Sequence, residues 1–300
     1  MDVVCEPGWV SDCCFLIDGY GWRAERSTCV LAVKGSRFAA IVDAAHKSSA
    51  PFILRGIRDA GVESSSVRYI LVTHRHTDHA GGVAPLLKAM PDAAVMGHRV
   101  TLSNIRDPSR INEASRRMWG DAADPMDPVE DAERLIPVSD GDVVDLGGGV
   151  EVEVVHTPGH TSDHYAYYER KSGVAYLGDA GGLFSCPTRM VVPTSFPASF
   201  KVDPYIRSLE KLMGYDVDVL VFAHFGAIRG KGAADFISKC IEVVEEWVEL
   251  AKEGGVKEVA GRLKEGYLSR FTLFNPEIRS VIFDALAAGL VNALRGPRGV

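Results

Sequence analysis

Thr73-His74-Arg75-His76-Thr77-Asp78-His79 packs three imidazoles and a carboxylate into the six positions from 74 to 79, directly after a strand-like segment. Residues 67–73 are apolar and partly β-branched, and Ala80-Gly81-Gly82-Val83 leads into a helical pattern over 84–90, so the motif joins a strand to a helix. In extended backbone His74 and His76 share one face. Asp78 and His79 fall near the helix start, where the turning chain can aim them at a second metal beside the first. One short loop can therefore supply two sites.

Further ligand-type groups follow other strand-like runs. Residues 150–156 alternate apolar and polar and end in Thr157-Pro158-Gly159-His160, a turn that presents His160 at its tip. Residues 174–177 end in Gly178-Asp179, and the apolar run 217–223 ends at His224. Strands held in a rigid sheet can aim such end-of-strand side chains at one point while the loops stay adaptable.

HxHxDH, then a TPGHT-type histidine, a GD aspartate and a late histidine together resemble the metallo-β-lactamase-fold hydrolases, in particular their glyoxalase II and lactonase-like binuclear branch. The resemblance covers roughly residues 20–230. It implies an α/β fold, a four-layer αββα sandwich of two mixed sheets flanked by helices. The interleaving of short strands with helical stretches agrees with that layering. The domain expected is 1–232, with an insertion at 99–135, followed by a helical extension over 233–300. The resemblance also implies that His74, His76 and His160 hold one metal, that Asp78, His79 and His224 hold the other, and that Asp179 bridges them.

Five imidazoles and two carboxylates, with no thiolate, suit two borderline divalent ions, zinc by default and iron or manganese as options. Two such ions a few Å apart hold a bridging hydroxide and polarise the substrate oxygen. In this scheme Asp78 orients the water and takes its proton, and Asp179 fixes the metal spacing. β-Lactamases commonly place a cysteine where Asp179 stands, so the aspartate points to the thioesterase, lactonase and phosphoesterase branches. Flavodiiron members replace the second histidine of HxH with an acid and lack an equivalent of His79, and neither change is seen here. The tyrosine usual in lactonases three residues past the bridging aspartate is Gly182 in this chain. The basic, glycine-rich stretch of glyoxalase II is replaced by Gly181-Gly182-Leu183-Phe184-Ser185-Cys186-Pro187. The expected activity is hydrolysis of an ester-type bond, whether lactone, carboxylic ester or thioester, in a small-molecule substrate. The alternatives are phosphodiester or phosphotriester hydrolysis, and a non-hydrolytic iron redox or oxygen-binding protein.

Around the ligands, Asp43 ends the run 38–42 where the family often has an aspartate that braces the histidine loop, although Ala44-Ala45 replaces the threonine and glycine that usually follow. His164 is expected to make a structural hydrogen bond near the metals, and His98 to reach the same sheet edge. Phe184, Trp119 and Phe225 are candidates for an apolar substrate wall.

A net charge of −7 and 46% hydrophobic residues describe a chain that can bury a substantial core and that lacks the basic surface nucleic acid requires. No apolar run reaches the length of a membrane span, and the start lacks the pattern of a signal peptide, so a cytoplasmic, non-membrane protein is expected. The six cysteines (5, 13, 14, 29, 186 and 240) show no CxxC spacing and are expected to be reduced, with Cys186 on a loop near the pocket. The insertion reads as a helix over 109–119 and then a Pro-broken loop, forming either a wall of the active site through Met118 and Trp119 or a solvated charged face. Apolar stripes within 236–251 and 278–291 predict two amphipathic helices, with a shorter helical piece over 256–263. Such stripes are core, with a homodimer contact or a pocket rim as the other possible uses.

Overall fold

The computed structural model describes residues 2–230, 232–274 and 276–295. The first half runs β1 (Asp2–Val4), β2 (Gly8–Trp9), β3 (Cys14–Asp18), β4 (Cys29–Lys34), β5 (Ala39–Val42), α1 (Ala50–Asp59), β6 (Val67–Leu71), α2 (Thr77–Ala80), α3 (Val83–Ala89), β7 (Ala94–Gly97), α4 (Arg99–Arg106), α5 (Ser109–Trp119) and β8 (Leu135–Pro137). The second half runs β9 (Val143–Gly147), β10 (Val150–His156), β11 (Tyr165–Glu169), β12 (Val174–Tyr176), β13 (Leu183–Ser185), β14 (Met190–Val192), α6 (Val202–Leu212), β15 (Val219–Val221), β16 (Ala227–Arg229), α7 (Ala233–Lys252), α8 (Val256–Leu263) and α9 (Pro276–Arg295).

Two mixed sheets of seven strands face each other, one ordered β2-β3-β4-β5-β6-β7-β8 and the other β1-β16-β15-β12-β11-β10-β9. The parallel steps β5/β6, β6/β7 and β12/β15 put the loops leaving β6, β12 and β15 at one end of the sandwich. Those loops carry the histidine motif, Asp179 and His224: the pairing of β12 with β15 brings the last two together, and the packing of the two sheets sets the histidine motif against them. Alternation along β10 places Val150, Val152 and Val154 in the core between the sheets, against Leu16, Leu31 and Leu71, and leaves Glu151 and Glu153 partly exposed.

Helices cover both outer faces, completing the αββα layering expected. On the first sheet α1 buries Ile53 and Ile57, and Gly56 lies so close to Ile17 that a Cβ there would collide with it. On the second sheet α6, α7, α8 and α9 share one core with the strands. Most of the stripe residues that could have served a dimer contact, among them Phe236, Ile237, Trp247, Ile282 and Leu286, are buried within the chain itself, while Val281 is half exposed. Burying a large apolar side chain contributes about 1.5–3 kcal/mol. None of the described helices is long and apolar enough to cross a membrane.

One expectation fails. Cys5 and Cys186 form a disulfide, although both were expected to be reduced. They are separated by 181 positions, and only the pairing of β1 with β16 and the course of the β13–β14 hairpin bring them together. Cys13, Cys14, Cys29 and Cys240 are free thiols and buried.

Candidate metal centre

The loop after β6 leaves the sheet at Val72 and enters α2, whose one short turn carries Asp78 and His79. His74 Nε2 lies 2.9 Å and His160 Nε2 3.0 Å from His76 Nδ1, so three ring nitrogens converge. A second trio, Asp78, His79 and His224, lies beside the first, with every ligand-type atom within 4.8 Å of the others in its group. Asp179 stands between the trios. Its Oδ2 lies 3.2 Å from His160 Nε2, and its Oδ1 lies 3.3 Å from both His79 Nε2 and His224 Nε2. All seven side chains chosen from the sequence thus meet, from four separate loops.

The surroundings set the tautomers. His160 Nδ1–H donates to the Thr194 carbonyl at 2.8 Å, His224 Nδ1–H to the Ser27 carbonyl at 3.2 Å, and His79 Nδ1–H to Asp43 Oδ2 at 2.8 Å. Each partner can only accept, so Nδ1 carries a proton in all three rings and Nε2 points inward; although burial opposes it, Asp78, Asp179 and Asp43 raise the His79 pKa well above the ordinary histidine range. Asp43 also accepts from Thr73 N at 2.8 Å and Thr73 Oγ1 at 3.0 Å, and from Tyr176 OH at 3.1 Å, which ties the histidine loop to the facing sheet. Alanines at 44 and 45 do not disturb this arrangement, because the contacts come from Asp43 itself.

His164 is buried and links two site loops. Its Nε2 accepts from the backbone N–H of Asp179 at 2.9 Å, which places its own proton on Nδ1, donated to Thr157 Oγ1 at 2.8 Å. Burial, followed by the nearby His160, lowers its pKa to about 3, so it stays neutral. Burial opposes ionisation of Asp179, yet His160 and His79 outweigh it and hold that carboxyl well below the usual range. Burial and then His79, His76 and His160 keep His74 well below the ordinary histidine range.

The donor set fits divalent cations. His79 Nε2 and Asp179 Oδ1 are buried, have no hydrogen-bond partner, and face each other at 3.3 Å. A divalent cation would take the place of the proton that the surrounding carboxylates hold on His79 and would satisfy both buried atoms. The residues that would hold the ions are the two trios and Asp179.

A cavity of about 310 Å3 opens from the centre, with His76, Asp78, Asp179 and His224 on its floor. Its apolar walls come from distant parts of the chain: Trp22, Ile111 and Trp119, Phe196, Phe274 and Ile282. Trp119 therefore belongs to the cavity, and α5 forms a wall, with Arg110, Arg116 and Arg117 exposed to solvent. Trp22 packs edge-on to Phe274 at 5.0 Å and to Trp119 at 5.7 Å. It sits at φ +50 beside Arg23 at +57, conformations that cost non-glycine residues energy and that hold the ring over His224. Arg75 is the sole cation lining the cavity among the described residues, and it is paired with the buried Asp163.

Some expected contacts fall elsewhere. Phe184 is fully buried, stacked on Phe222 at 4.4 Å, and borders a different cavity beside the disulfide; Phe225 borders that cavity too. His98 caps α4, its Nδ1 accepting from Val100 N at 3.1 Å, and stacks on His156 away from the metal cavity. Chain proximity to Asp179 and His224 had suggested the two phenylalanines, but the side chains point to the opposite side of the backbone. Trp22, Phe196 and Phe274 carried no signal in the sequence, since single aromatics in loops do not announce which cavity they face.

Residues 22–224 match the metallo-beta-lactamase superfamily, and the chain belongs to that family. It is 25% identical over 215 residues to the metallo-beta-lactamase fold-containing protein ST1585 of Sulfurisphaera tokodaii, a match covering 67% of this chain and 80% of that one. The crystal structure of ST1585, described as an archaeal metallo-beta-lactamase superfamily protein, superposes with a TM-score of 0.65 at 20% identity, covering 93% of this chain and 98% of that one. A hydroxyacylglutathione hydrolase of Aeromonas hydrophila is 36% identical over 116 residues, 39% of this chain and 33% of that one. A putative diflavin flavoprotein of Nostoc is 29% identical over 150 residues, half of this chain and 22% of that one. The last two matches span only a third or less of those relatives.

Proposed function

We infer that this protein is a metal-dependent hydrolase that cleaves an ester- or thioester-type bond, and that its preferred substrates carry an apolar acyl or alcohol group. The observation that carries the reading is the position of Asp179, one oxygen toward each trio, with buried lone pairs on both sides. Two zinc ions are the proposed occupants. When bound, such ions would supply Lewis acidity and would lower the pKa of a coordinated water.

The chain's own residues do the rest. Asp78 is on the cavity floor, and although burial opposes its ionisation, His79, His46 and His224 lower its pKa, so it is a carboxylate able to take a proton. His164 and Tyr205 hold the Asp179 backbone from its N–H and carbonyl, at 2.9 and 3.0 Å. The aromatic walls exclude water and receive the apolar part of the substrate. A relative named hydroxyacylglutathione hydrolase supports a thioester, but the one wall cation is already paired, which favours an acyl group over a charged tripeptide tail. The intact HxH and His79 support hydrolysis over the redox use suggested by the flavoprotein relative.

The test is kcat/KM of zinc-loaded protein on acyl thioesters, lactones, carboxylic esters, a phosphodiester and a phosphotriester, with His76→Ala as blank. Preference for the acyl substrates, abolished by a chelator, is expected. Preference for the phosphorus substrates would overturn the reading.

A further inference from the structure

A second cluster of ligand-type side chains lies at the opposite end of the sandwich. Asp179 follows the end of β12, whereas Glu169 pairs with Val174 at the beginning of that strand, and Cys14 opens β3. Cys13, Cys14 and Glu169 bring two sulfurs and a carboxylate oxygen within 4.8 Å of one another. All three residues are buried, with 4%, 0% and 1% of their surface exposed.

The spacing is that of a coordination shell. The two sulfurs stand 3.8 Å apart. Two thiolates bound tetrahedrally to zinc at about 2.3 Å stand about 3.8 Å apart. Ser172 Oγ lies 3.3 Å from Cys13 Sγ, beside the cluster. Ser11 Oγ accepts from the N–H groups of Cys13 and Cys14 at 3.4 and 3.1 Å, which fixes the backbone of the turn that carries both thiols. The Glu169 carboxylate is oriented by Lys171 N at 2.8 Å and Ser172 N at 2.9 Å, one to each oxygen, and each oxygen keeps a lone pair.

We propose that Cys13, Cys14 and Glu169, with Ser172 completing the shell, form a structural site for a thiophilic divalent cation such as zinc or cadmium, separate from the histidine centre. Such an ion joins the turn before β3 in one sheet to the β11–β12 turn in the other. Each thiol loses its proton on binding, the sulfur keeping the electron pair it gives to the metal. The histidine centre offers only nitrogen and oxygen, so the two sites differ in the spectroscopy of a bound soft ion.

The experiment is a cadmium titration of the metal-stripped full chain, read by metal content and by the ultraviolet sulfur-to-cadmium charge-transfer band. A third equivalent per chain with that band is expected. Saturation at two equivalents with no band overturns the proposal, and needs no variant. In C13S/C14S the band and the third equivalent should vanish while two equivalents remain. A band that persists there would assign it to Cys29 or Cys240, which are buried elsewhere, and would also overturn it. Glu169→Gln, which keeps both thiols, should weaken the third equivalent about tenfold with the band intact at saturation; unchanged affinity overturns the four-residue shell.

Discussion

Asp43→Asn tests how the protein aims His79. Asp43 is buried, and its Oδ2 accepts from His79 Nδ1 at 2.8 Å, Thr73 Oγ1 at 3.0 Å and Tyr176 OH at 3.1 Å, while Oδ1 accepts from Thr73 N at 2.8 Å. Asparagine keeps the shape, and its oxygen can remain on Thr73 N. The amide NH2 then stands where Oδ2 was. Both hydroxyls can rotate to accept from it, and Tyr176 OH retains the Cys29 carbonyl at 2.8 Å as an acceptor. His79 has no such freedom. It must either leave Nδ1–H facing a donor, at about 1–3 kcal/mol for a buried unsatisfied group, or move its proton to Nε2 and lose the lone pair aimed at Asp78 and Asp179. Either way the second trio weakens. Loss of such an orienting partner typically lowers metal affinity 10- to 100-fold, about 1.4–2.8 kcal/mol. Competition with a chromogenic chelator measures zinc affinity site by site, and urea unfolding of the metal-free protein measures the stability cost. The zinc held by the Asp78, His79 and His224 trio should lose affinity by that factor, with metal-free stability reduced by no more than about 3 kcal/mol. Two zinc sites of unchanged affinity would show that Asp43 does not set the His79 tautomer.

Asp179→Ala should lower metal content and hydrolysis together, because it removes the group between the trios; retention of both in metal analysis and kinetics would refute the bridging position. His164→Ala should leave metal stoichiometry near two while lowering kcat, since His164 holds the Asp179 backbone and donates no lone pair to the centre. Gly159 sits at φ +143 against the backbone of Tyr205, so Gly159→Ala should cost about 2–4 kcal/mol in urea unfolding, through strain and overpacking at the His160 turn. Trp119→Ala should lower kcat/KM for a hexanoyl ester about five- to thirtyfold more than for the acetyl ester, from about 1–2 kcal/mol of lost apolar contact.

The sequence by itself determined the parts of this protein that are local. The order HxHxDH, TPGH, GD and a late histidine named seven side chains that the structure brings together, because each lies three to eight residues past the end of a strand and those strand ends meet where the two sheets face each other. The helices over 236–251 and 278–291 were likewise legible, since amphipathic spacing is a property of consecutive residues. Asp43 and His164 were legible as neighbours of the ligands, but the hydrogen bonds that make them useful were not.

What only the tertiary structure decided depends on contacts between distant segments. Trp22, Trp119, Phe196 and Phe274 become one wall because four separate loops and helices meet over the metals, and nothing in their local pattern marks that face. Phe184, close to Asp179 in sequence, turns the other way because the β13–β14 hairpin packs it on Phe222. Cys5 and Cys186 become a disulfide only through the pairing of β1 with β16 and the course of the β13–β14 hairpin, and Glu169 meets Cys13 and Cys14 only because the two sheets pack face to face. Chain order constrains where a strand ends; the register between strands and the packing of one sheet on the other decide what each end then meets.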